Sequence, residues 1–291
     1  MNIKKKYSVL AAAFLMCSMA LSTSGFASEV SKDIPITSSI ADEVKVFYQN
    51  DVKLSGGSPL DTSVQAKSLI QTTPKVERSS VATVYDEVGN VIDNVTIKQN
   101  VTSNENSKLA ASGKLCTVLV AVDEEYRAKH SDWQTLTANA VEAADDAFNA
   151  QFGIDLTVTA YRYWFSSGNN ASELLANLTG SATDNYDFVV GFTAEPDFTH
   201  EGKVVGGLAY EYPSAPTYAA YSTVLDQTSP SSNWHALQHE LSHNYGLSHD
   251  PEASTPICIM DYGTMYNTSA WHSDHWTQLN ARKIWYGSNT N

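Results

Sequence analysis

The sequence predicts an α/β (α+β) fold, in which a twisted and mostly parallel sheet of five strands packs against helices. Two patterns predict this class. Short apolar runs rich in β-branched residues, such as 115–122 and 188–192, are typical of buried strands. Between them, apolar residues recur at helical spacing, most clearly over 132–152. Strands that alternate with helices form parallel sheets, because a crossover helix returns the chain to the same end of the sheet.

The elements of residues 112–291 follow from the same patterns. The predicted strands cover 115–122, 155–164, 188–192, 204–210 and 218–225. The predicted helices cover 132–152, 172–178 with Ser172 as N-cap, 233–245, and a last helix that Ser273 caps and that runs through Trp285 and ends at Gly287. We expect the last helix to form a small C-terminal subdomain through Trp276, Leu279 and Ile284.

The N-terminus has the features of a signal peptide. Lys4, Lys5 and Lys6 precede an apolar run over 9–21, and Gly25-Phe-Ala27 offers small residues for cleavage. The apolar run is too short to favour a membrane span. We therefore predict a signal peptide over 1–27 and a secreted, extracellular protein.

The charges are distributed unevenly along the chain. Lys+Arg and Asp+Glu balance over 1–111, so the whole net charge of −14 falls on 112–291, which also contains all 8 histidines. An acidic surface argues against nucleic acid and anionic membranes as partners. It is compatible with calcium binding, although no motif specifies a Ca2+ site. We expect a monomer.

The strongest motif is HELSHNYGLSHD over 239–250. His239 and His243 are four residues apart and share one face of a helix, where two imidazoles can hold one metal ion. Gly246 can adopt the left-handed conformation that ends a helix and returns the chain, so that His249 approaches the same ion. Three histidines with one open position make the catalytic kind of Zn2+ site. Glu240 is placed to reach a metal-bound water.

A second motif, Cys-Ile-Met-Asp-Tyr-Gly, follows over 258–263. Together the two motifs resemble the metzincin metalloendopeptidases, whose methionine turn lies beneath the zinc. The zinc motif and Cys-Ile-Met resemble the reprolysin or adamalysin branch, whereas Met260-Asp-Tyr262 resembles the astacins and serralysins. This mixture is similar to a group of small secreted bacillary metalloendopeptidases.

The resemblance implies a zinc-dependent endopeptidase that hydrolyses internal peptide bonds of proteins. It implies that one catalytic zinc ion is bound by His239, His243 and His249, with Glu240 as general base. It also implies an antiparallel edge strand that binds extended peptide substrates through Gly207, Leu208, Ala209 and Tyr210.

Three further residues take roles from the same resemblance. Tyr262 resembles a tyrosine that binds zinc through its phenol and helps to stabilise the oxyanion; packing beside the turn is the alternative. Asp250 is expected to accept a hydrogen bond next to the zinc ligands or to anchor the local structure. Met260 is expected to pack beneath the histidines.

Residues 28–111 are rich in Ser, Thr, Val and Asn and contain neither His nor Cys. Alternation over 79–102 around Gly89-Asn90 predicts a β-hairpin, and the polar stretch 104–113 predicts a linker. We interpret 28–111 as a propeptide that inhibits the catalytic domain over 112–291 and is later removed. An independent N-terminal domain that stays attached is the alternative.

The means of inhibition is left open by the sequence. A thiol cannot block the zinc, because the segment lacks cysteine. A carboxylate such as Asp51 or Asp61, near the glycine-containing stretch 55–59, can displace the zinc-bound water, or the segment can cover the cleft sterically.

After signal-peptide cleavage, Cys116 and Cys258 are the remaining cysteines, and an oxidising location favours a disulfide between them. Two buried thiols are the alternative. Of the other histidines, His235 lies one turn before the zinc motif and competes weakly as a ligand. His272 and His275 are expected at a substrate pocket or on the surface.

Two rival functions share some of these patterns. Zinc hydrolysis of a different amide, such as a cell-wall crosslink, fits a narrow cleft without a peptide-binding strand. A secreted binding protein with structural zinc requires four protein ligands, whereas this motif offers three and a glutamate.

Overall fold

The computed structural model describes residues 52–62, 75–102, 113–180, 185–250 and 257–290. The predicted signal peptide over 1–27 and most of the predicted linker over 104–113 lie outside the described residues. Within these ranges, no helix has the length and apolar character needed to cross a membrane.

The described residues form eleven strands and five α-helices. The strands are β1 (Lys53–Leu54), β2 (Ser58–Pro59), β3 (Lys75–Tyr85), β4 (Val91–Thr102), β5 (Lys114–Val122), β6 (Ile154–Tyr163), β7 (Phe188–Thr193), β8 (Thr199–His200), β9 (Lys203–Glu211), β10 (Ala220–Leu225) and β11 (Ser288–Asn289). The helices are α1 (Glu124–Lys129), α2 (Trp133–Phe152), α3 (Ala171–Thr179), α4 (Pro230–Asn244) and α5 (Ser273–Arg282), with a 3-10 turn at Met265–Asn267.

The strands form one mixed sheet in the order β1-β9-β10-β7-β5-β6-β3-β4. Strands β6, β5, β7 and β10 are parallel, and β9 runs antiparallel to β10. Helix α2 connects β5 to β6, and α3 lies between β6 and β7, which gives the parallel crossovers that the sequence predicts. The predicted α/β class and mostly parallel sheet are therefore present.

The N-terminal segment extends this sheet beyond the five predicted strands. The predicted hairpin is confirmed as β3 and β4, and β3 pairs in parallel with β6 through residues 83–85. At the opposite side, β1 and β2 pair antiparallel with β9. Strand β9 is thus not an exposed edge in this chain. The strand count differs because two-residue strands have no periodicity and pair with partners far along the sequence.

Two helix caps differ from the predictions, and α4 begins at Pro230, three residues before its predicted start. The side chain of Asn170, not that of Ser172, caps α3 by accepting a bond from Glu173 N–H. The ring of His272, not Ser273, caps α5. Each observed cap lies one position before the first helical residue, where a side-chain acceptor reaches the free N–H groups.

The last helix is shorter than predicted and ends at Arg282. Of its three predicted packing residues, Leu279 is fully buried, whereas Trp276 is 38% exposed and Ile284 is 68% exposed. The predicted packing is thus confirmed for Leu279 and wrong for Trp276 and Ile284, which lies beyond the end of the helix.

Helix α4 is held against the sheet by its last residue. The side-chain N–H groups of Asn244 donate to the carbonyls of Tyr210 on β9 and Tyr221 on β10, each at 3.0 Å. The hydroxyl of Tyr286 donates to the Asn244 carbonyl at 2.6 Å. These bonds link α4 to both strands and set the helix in a fixed position under β9.

The predicted disulfide is wrong, because Cys116 and Cys258 are both free and buried. Cys116 lies on β5, where its thiol hydrogen bonds with Tyr245. The sulfur of Cys258 lies 3.4 Å from Nδ1 of His275. The two thiols have different neighbours because strand β5 carries Cys116 into the sheet core, away from the methionine turn.

Candidate active site

Three histidines converge at the C-terminal end of α4. Residues His239 and His243 come from successive turns of the helix, and Gly246 has φ = 76°, the left-handed conformation that reverses the chain. The reversal brings His249 to the other two. The three Nε2 atoms are separated by 3.0, 3.0 and 2.9 Å.

The outer ring nitrogens of His239 and His243 fix the tautomer of these two rings in their neutral form. Nδ1 of His239 lies 2.7 Å from the Ile259 carbonyl, and Nδ1 of His243 lies 2.6 Å from the Leu247 carbonyl. A carbonyl oxygen can only accept, so each Nδ1 carries the proton and each Nε2 presents a lone pair. Lone pairs at these separations repel one another unless a cation lies between them. The donor set therefore fits a divalent metal ion such as zinc.

Burial keeps the three rings neutral. It lowers the pKa of His239 to about 3 and that of His249 to about 4. It also holds the pKa of His243 well below its usual range. Neutral imidazole is the form that binds metals.

Glu240 lies fully buried beside the three rings. A Cβ built on Gly207 would lie 2.7 Å from both Cγ and Oε1 of Glu240, so only glycine allows β9 to approach the carboxylate this closely. Burial raises the pKa of Glu240 to about 8, and hydrogen bonds from Ser58 and Ser55 oppose the shift. Glu240 adjoins His239 on the helix, but its carboxylate is not part of the cluster formed by the Nε2 atoms of His239, His243 and His249.

The predicted substrate strand, Gly207 to Tyr210, lies within β9 and is already paired with the N-terminal segment. The pairs are Leu54 with Tyr210 and Ser58 with Gly207, both antiparallel. Ser55 N–H donates to the Ala209 carbonyl at 2.8 Å. The segment 52–62 thus uses the backbone groups that an extended peptide would use.

The centre of this segment lies against the histidines. A Cβ on Gly56 would lie 2.8 Å from the Tyr262 hydroxyl and 3.1 Å from Cε1 of His249. The hydroxyl of Ser55 donates to Oε2 of Glu240 at 3.2 Å. Small residues are required here because the chain passes within contact distance of the site.

Asp61 does not reach the histidines. Its Oδ2 accepts from the Ser232 hydroxyl at 2.8 Å, near the start of α4, and its N–H donates to Gln227. Nearby, the Tyr266 hydroxyl donates to the Pro59 carbonyl at 2.5 Å. Asp61 therefore anchors the segment to the protein, and the other predicted carboxylate, Asp51, lies outside the described residues.

Tyr262 lies on the outer side of a histidine ring. Its hydroxyl is 3.1 Å from Nδ1 of His249, the nitrogen opposite the point where the three Nε2 atoms meet. Burial, together with the charge of Glu240, raises the pKa of the Tyr262 phenol. Met260 is fully buried, as its predicted packing role requires.

A second polar cluster lies next to the site and was missed by the sequence interpretation. Oδ1 of Asp250 is 2.8 Å from Nε2 of His272, and Cys258 contacts His275. His272 and His275 are thus not surface residues, because Asp250 and the methionine turn cover them. By contrast, His235 faces away from the converging histidines and bonds the Ser231 carbonyl at 2.7 Å.

A family model described as "Reprolysin_5: Metallo-peptidase family M12" matches residues 112–278. No curated protein matches the chain. A solved structure titled "Structure of a chaperone-substrate complex" is similar with a TM-score of 0.45 and 13% sequence identity. The similarity covers 72% of this chain and 41% of that chain, so this chain spans less than half of its length. Since the family model covers more than half of the sequence, and its match includes the histidine motif, the chain belongs to metallopeptidase family M12.

Proposed function

We propose that this protein is a secreted, zinc-dependent metalloendopeptidase that is made as a zymogen. The observation that carries the proposal is the convergence of three neutral imidazoles beside a buried glutamate, directly under strand β9. His239, His243 and His249 would hold the ion. Zinc in such a site polarises a carbonyl group and activates a water molecule for attack on it.

Glu240 acts as the general base in this proposal. Its carboxyl group lies next to His239 on the same helix and is not one of the converging groups. Burial under segment 52–62 raises its pKa to about 8; once the segment has left, the group ionises and can accept a proton from the attacking water. The same group then delivers that proton to the leaving amine. The close approach of Gly207 keeps the carboxylate beside the strand that binds the substrate.

Strand β9 binds the substrate backbone. The groups that bond the N-terminal segment, such as the carbonyl and N–H of Ala209, are the ones available to an extended peptide once that segment has left. Binding through the backbone requires a chain of several residues, which favours internal bonds of proteins over single amides. The presence of this strand argues against a cell-wall crosslink as the substrate.

The N-terminal segment makes the precursor latent by steric cover. Segment 52–62 occupies the substrate position along β9, and its serines hydrogen bond Glu240. Asp61 anchors one end of the cover at Ser232. Of the two inhibition modes that the sequence left open, these contacts favour cover over a carboxylate at the metal.

Casein zymography of the processed protein tests this function. We expect a cleared band that disappears with a zinc chelator and returns when zinc is added. A wild-type protein that contains zinc and is correctly folded but leaves casein and unfolded peptides intact would refute the proposal. Parallel gels with cell-wall material test the rival amide substrate.

A further inference from the structure

We propose that Asp250, Cys258, His272 and His275 bind a second zinc ion, and that this ion is structural. Each of the four side chains offers one donor atom, and these atoms all lie within 4.8 Å of one another. They are a carboxylate oxygen, a thiol sulfur and two imidazole nitrogens, the donor types that structural zinc sites use. The cluster is separate from the three histidines of the proposed catalytic site.

The distances within the cluster fit four ligands of one ion. Oδ1 of Asp250 is 2.8 Å from Nε2 of His272 and 3.8 Å from Nδ1 of His275. The sulfur of Cys258 is 3.4 Å from Nδ1 of His275. Zinc bound at about 2.0–2.3 Å in a tetrahedron separates its ligand atoms by roughly 3.3–3.8 Å. The two contacts to Nδ1 of His275 lie in this range, the Asp250–His272 contact must expand, and the other pairs lie within 4.8 Å.

The burial and the charges of these four side chains also favour a bound cation. The side chains of Asp250 and His275 are each 7% exposed, that of His272 is 14% exposed, and Cys258 has no exposure. Oδ2 of Asp250 is buried, and no donor among the described residues reaches it. One thiolate, one carboxylate and two neutral imidazoles balance the two positive charges of zinc. With four protein ligands the site is closed, as structural sites are.

Neighbouring groups support the sulfur and one ring. The backbone N–H groups of Met260 and His272 hydrogen bond the Cys258 sulfur. Without an ion, burial and the Asp250 carboxylate outweigh these bonds and raise the pKa of the thiol to about 11, so a thiolate here requires the cation. The ring of His275 hydrogen bonds the backbone of Ser248, as metal-bound histidines commonly do with their second nitrogen.

One contact opposes metal binding in the form shown. Nδ1 of His272 accepts from Asp274 N–H at 3.2 Å, so the neutral ring carries its proton on Nε2 and donates it to Asp250. Zinc binding at Nε2 requires that proton to leave or to move to Nδ1, and in the second case the bond from Asp274 is lost. A single hydrogen bond of this length contributes much less than a zinc ion with four ligands.

The four ligands join parts of the chain that otherwise have little regular structure. Asp250 directly follows His249, and Cys258 precedes Met260 by two positions. His272 and His275 belong to the start of α5. An ion at this point fixes the third catalytic histidine and the methionine turn against the last helix.

Metal content and cobalt spectra of the full chain test the proposal without any use of peptidase activity. We expect two zinc ions per chain in the wild type and one in His243→Ala. With Co2+ in place of zinc, a thiolate-to-cobalt charge-transfer band should appear, because the cluster supplies a sulfur ligand and the three histidines do not. The band should persist in His243→Ala and in Cys116→Ser, and should be lost in Cys258→Ser.

The wild-type and His243→Ala proteins decide the question even if Cys258→Ser does not fold. A single zinc ion per wild-type chain that is lost in His243→Ala would overturn the second site, as would a cobalt form without the thiolate band. A band that depends on Cys116 would also overturn it. Two metal ions in a protein that still lacks peptidase activity after residues 28–111 are removed would refute the proposed function and leave this inference intact.

Discussion

The hydroxyl of Ser55 donates a hydrogen bond to Oε2 of Glu240 over 3.2 Å, although 185 positions separate the two residues in the sequence. The same hydroxyl accepts a bond from Ala209 N–H at 3.0 Å. One serine of the N-terminal segment therefore links the proposed general base to the proposed substrate strand. In this state Glu240 has no solvent exposure, so the proposed function requires the segment to leave before a substrate binds.

Gly56→Ala should raise the peptidase activity of the unprocessed chain. A Cβ at this position would lie 2.8 Å from the Tyr262 hydroxyl and 3.1 Å from His249 Cε1. Overpacking of this kind destabilises the state in which segment 52–62 covers the site by about 1–3 kcal/mol. The equilibrium then shifts towards the uncovered state by about 5–150-fold. Cleavage of labelled casein measures the change, and intact-mass spectrometry of the same sample verifies that the chain is uncut.

Gly180→Ala is the control for Gly56→Ala, because it makes the same substitution where the added methyl group meets no close neighbour. A Cβ at Gly180 meets its nearest atom at 3.6 Å, an ordinary contact. Steric cover by segment 52–62 would be contradicted if the uncut Gly56→Ala chain were as latent as the wild type. Equal activation by both alanines would contradict it as well.

Glu240→Ala should lower kcat/KM by about 10²–10⁴-fold, the range for loss of a general base. Zinc content should not change, because the three proposed zinc ligands are histidines and Glu240 is not one of them. Kinetics and metal analysis of the processed protein measure both quantities. Normal turnover in a variant that contains zinc would exclude Glu240 as the base.

Tyr262→Phe separates two roles of one hydroxyl. If the phenol stabilises the oxyanion, kcat should fall by about 10²–10³-fold with little change in KM or in zinc affinity. If its bond to Nδ1 of His249 only orients that ring, zinc affinity should fall and added zinc should restore kcat. We predict the first result. Wild-type kcat together with wild-type zinc affinity in the folded variant would leave Tyr262 as a packing residue.

Tyr186→Phe is the control for removal of a phenol. Its hydroxyl bonds that of Tyr85 at 3.3 Å, at the hairpin side of the sheet. Peptidase kinetics should not change in this variant, because neither hydroxyl contacts the three histidines or Glu240.

Asn244→Ala should lower the free energy of unfolding by about 1–3 kcal/mol, since it removes the two buried hydrogen bonds that the side chain donates to the carbonyls of Tyr210 and Tyr221. Urea unfolding in a Glu240→Ala background, which prevents self-digestion, measures the loss. Asn94→Ala on the exposed hairpin should change the same quantity by less than about 0.5 kcal/mol. Equal stability of the two variants would show that Asn244 does not hold α4 to the sheet.

Local sequence patterns were sufficient for most elements of residues 113–290. The interior of α2 and strands β5, β6 and β7 follow from apolar periodicity, because one face of each element must be buried wherever the element lies. The turn at Gly246 and the approach of His249 follow from one glycine that can adopt a positive φ. These features depend on residues a few positions apart.

Helix ends were less predictable, because neighbouring polar side chains compete to cap the same helix. Ser172 and Ser273 are good capping residues, yet Asn170 and His272 provide the caps. Adjacent polar side chains can each satisfy the first N–H groups, and packing of the helix decides which one does.

The sequence by itself determined the class of the fold and the chemical character of the site. Apolar periodicity identifies the strands and helices, and the spacing of three histidines and a glutamate along one helix and its following turn fixes their relative positions. Only the tertiary structure decided which distant segments meet. It paired Ser55 with Glu240, separated Cys116 from Cys258, and brought Asp250 to His272. Contacts of this kind leave no periodic signal in the chain, because they depend on how the sheet and the last helix pack and not on the spacing of the residues that make them.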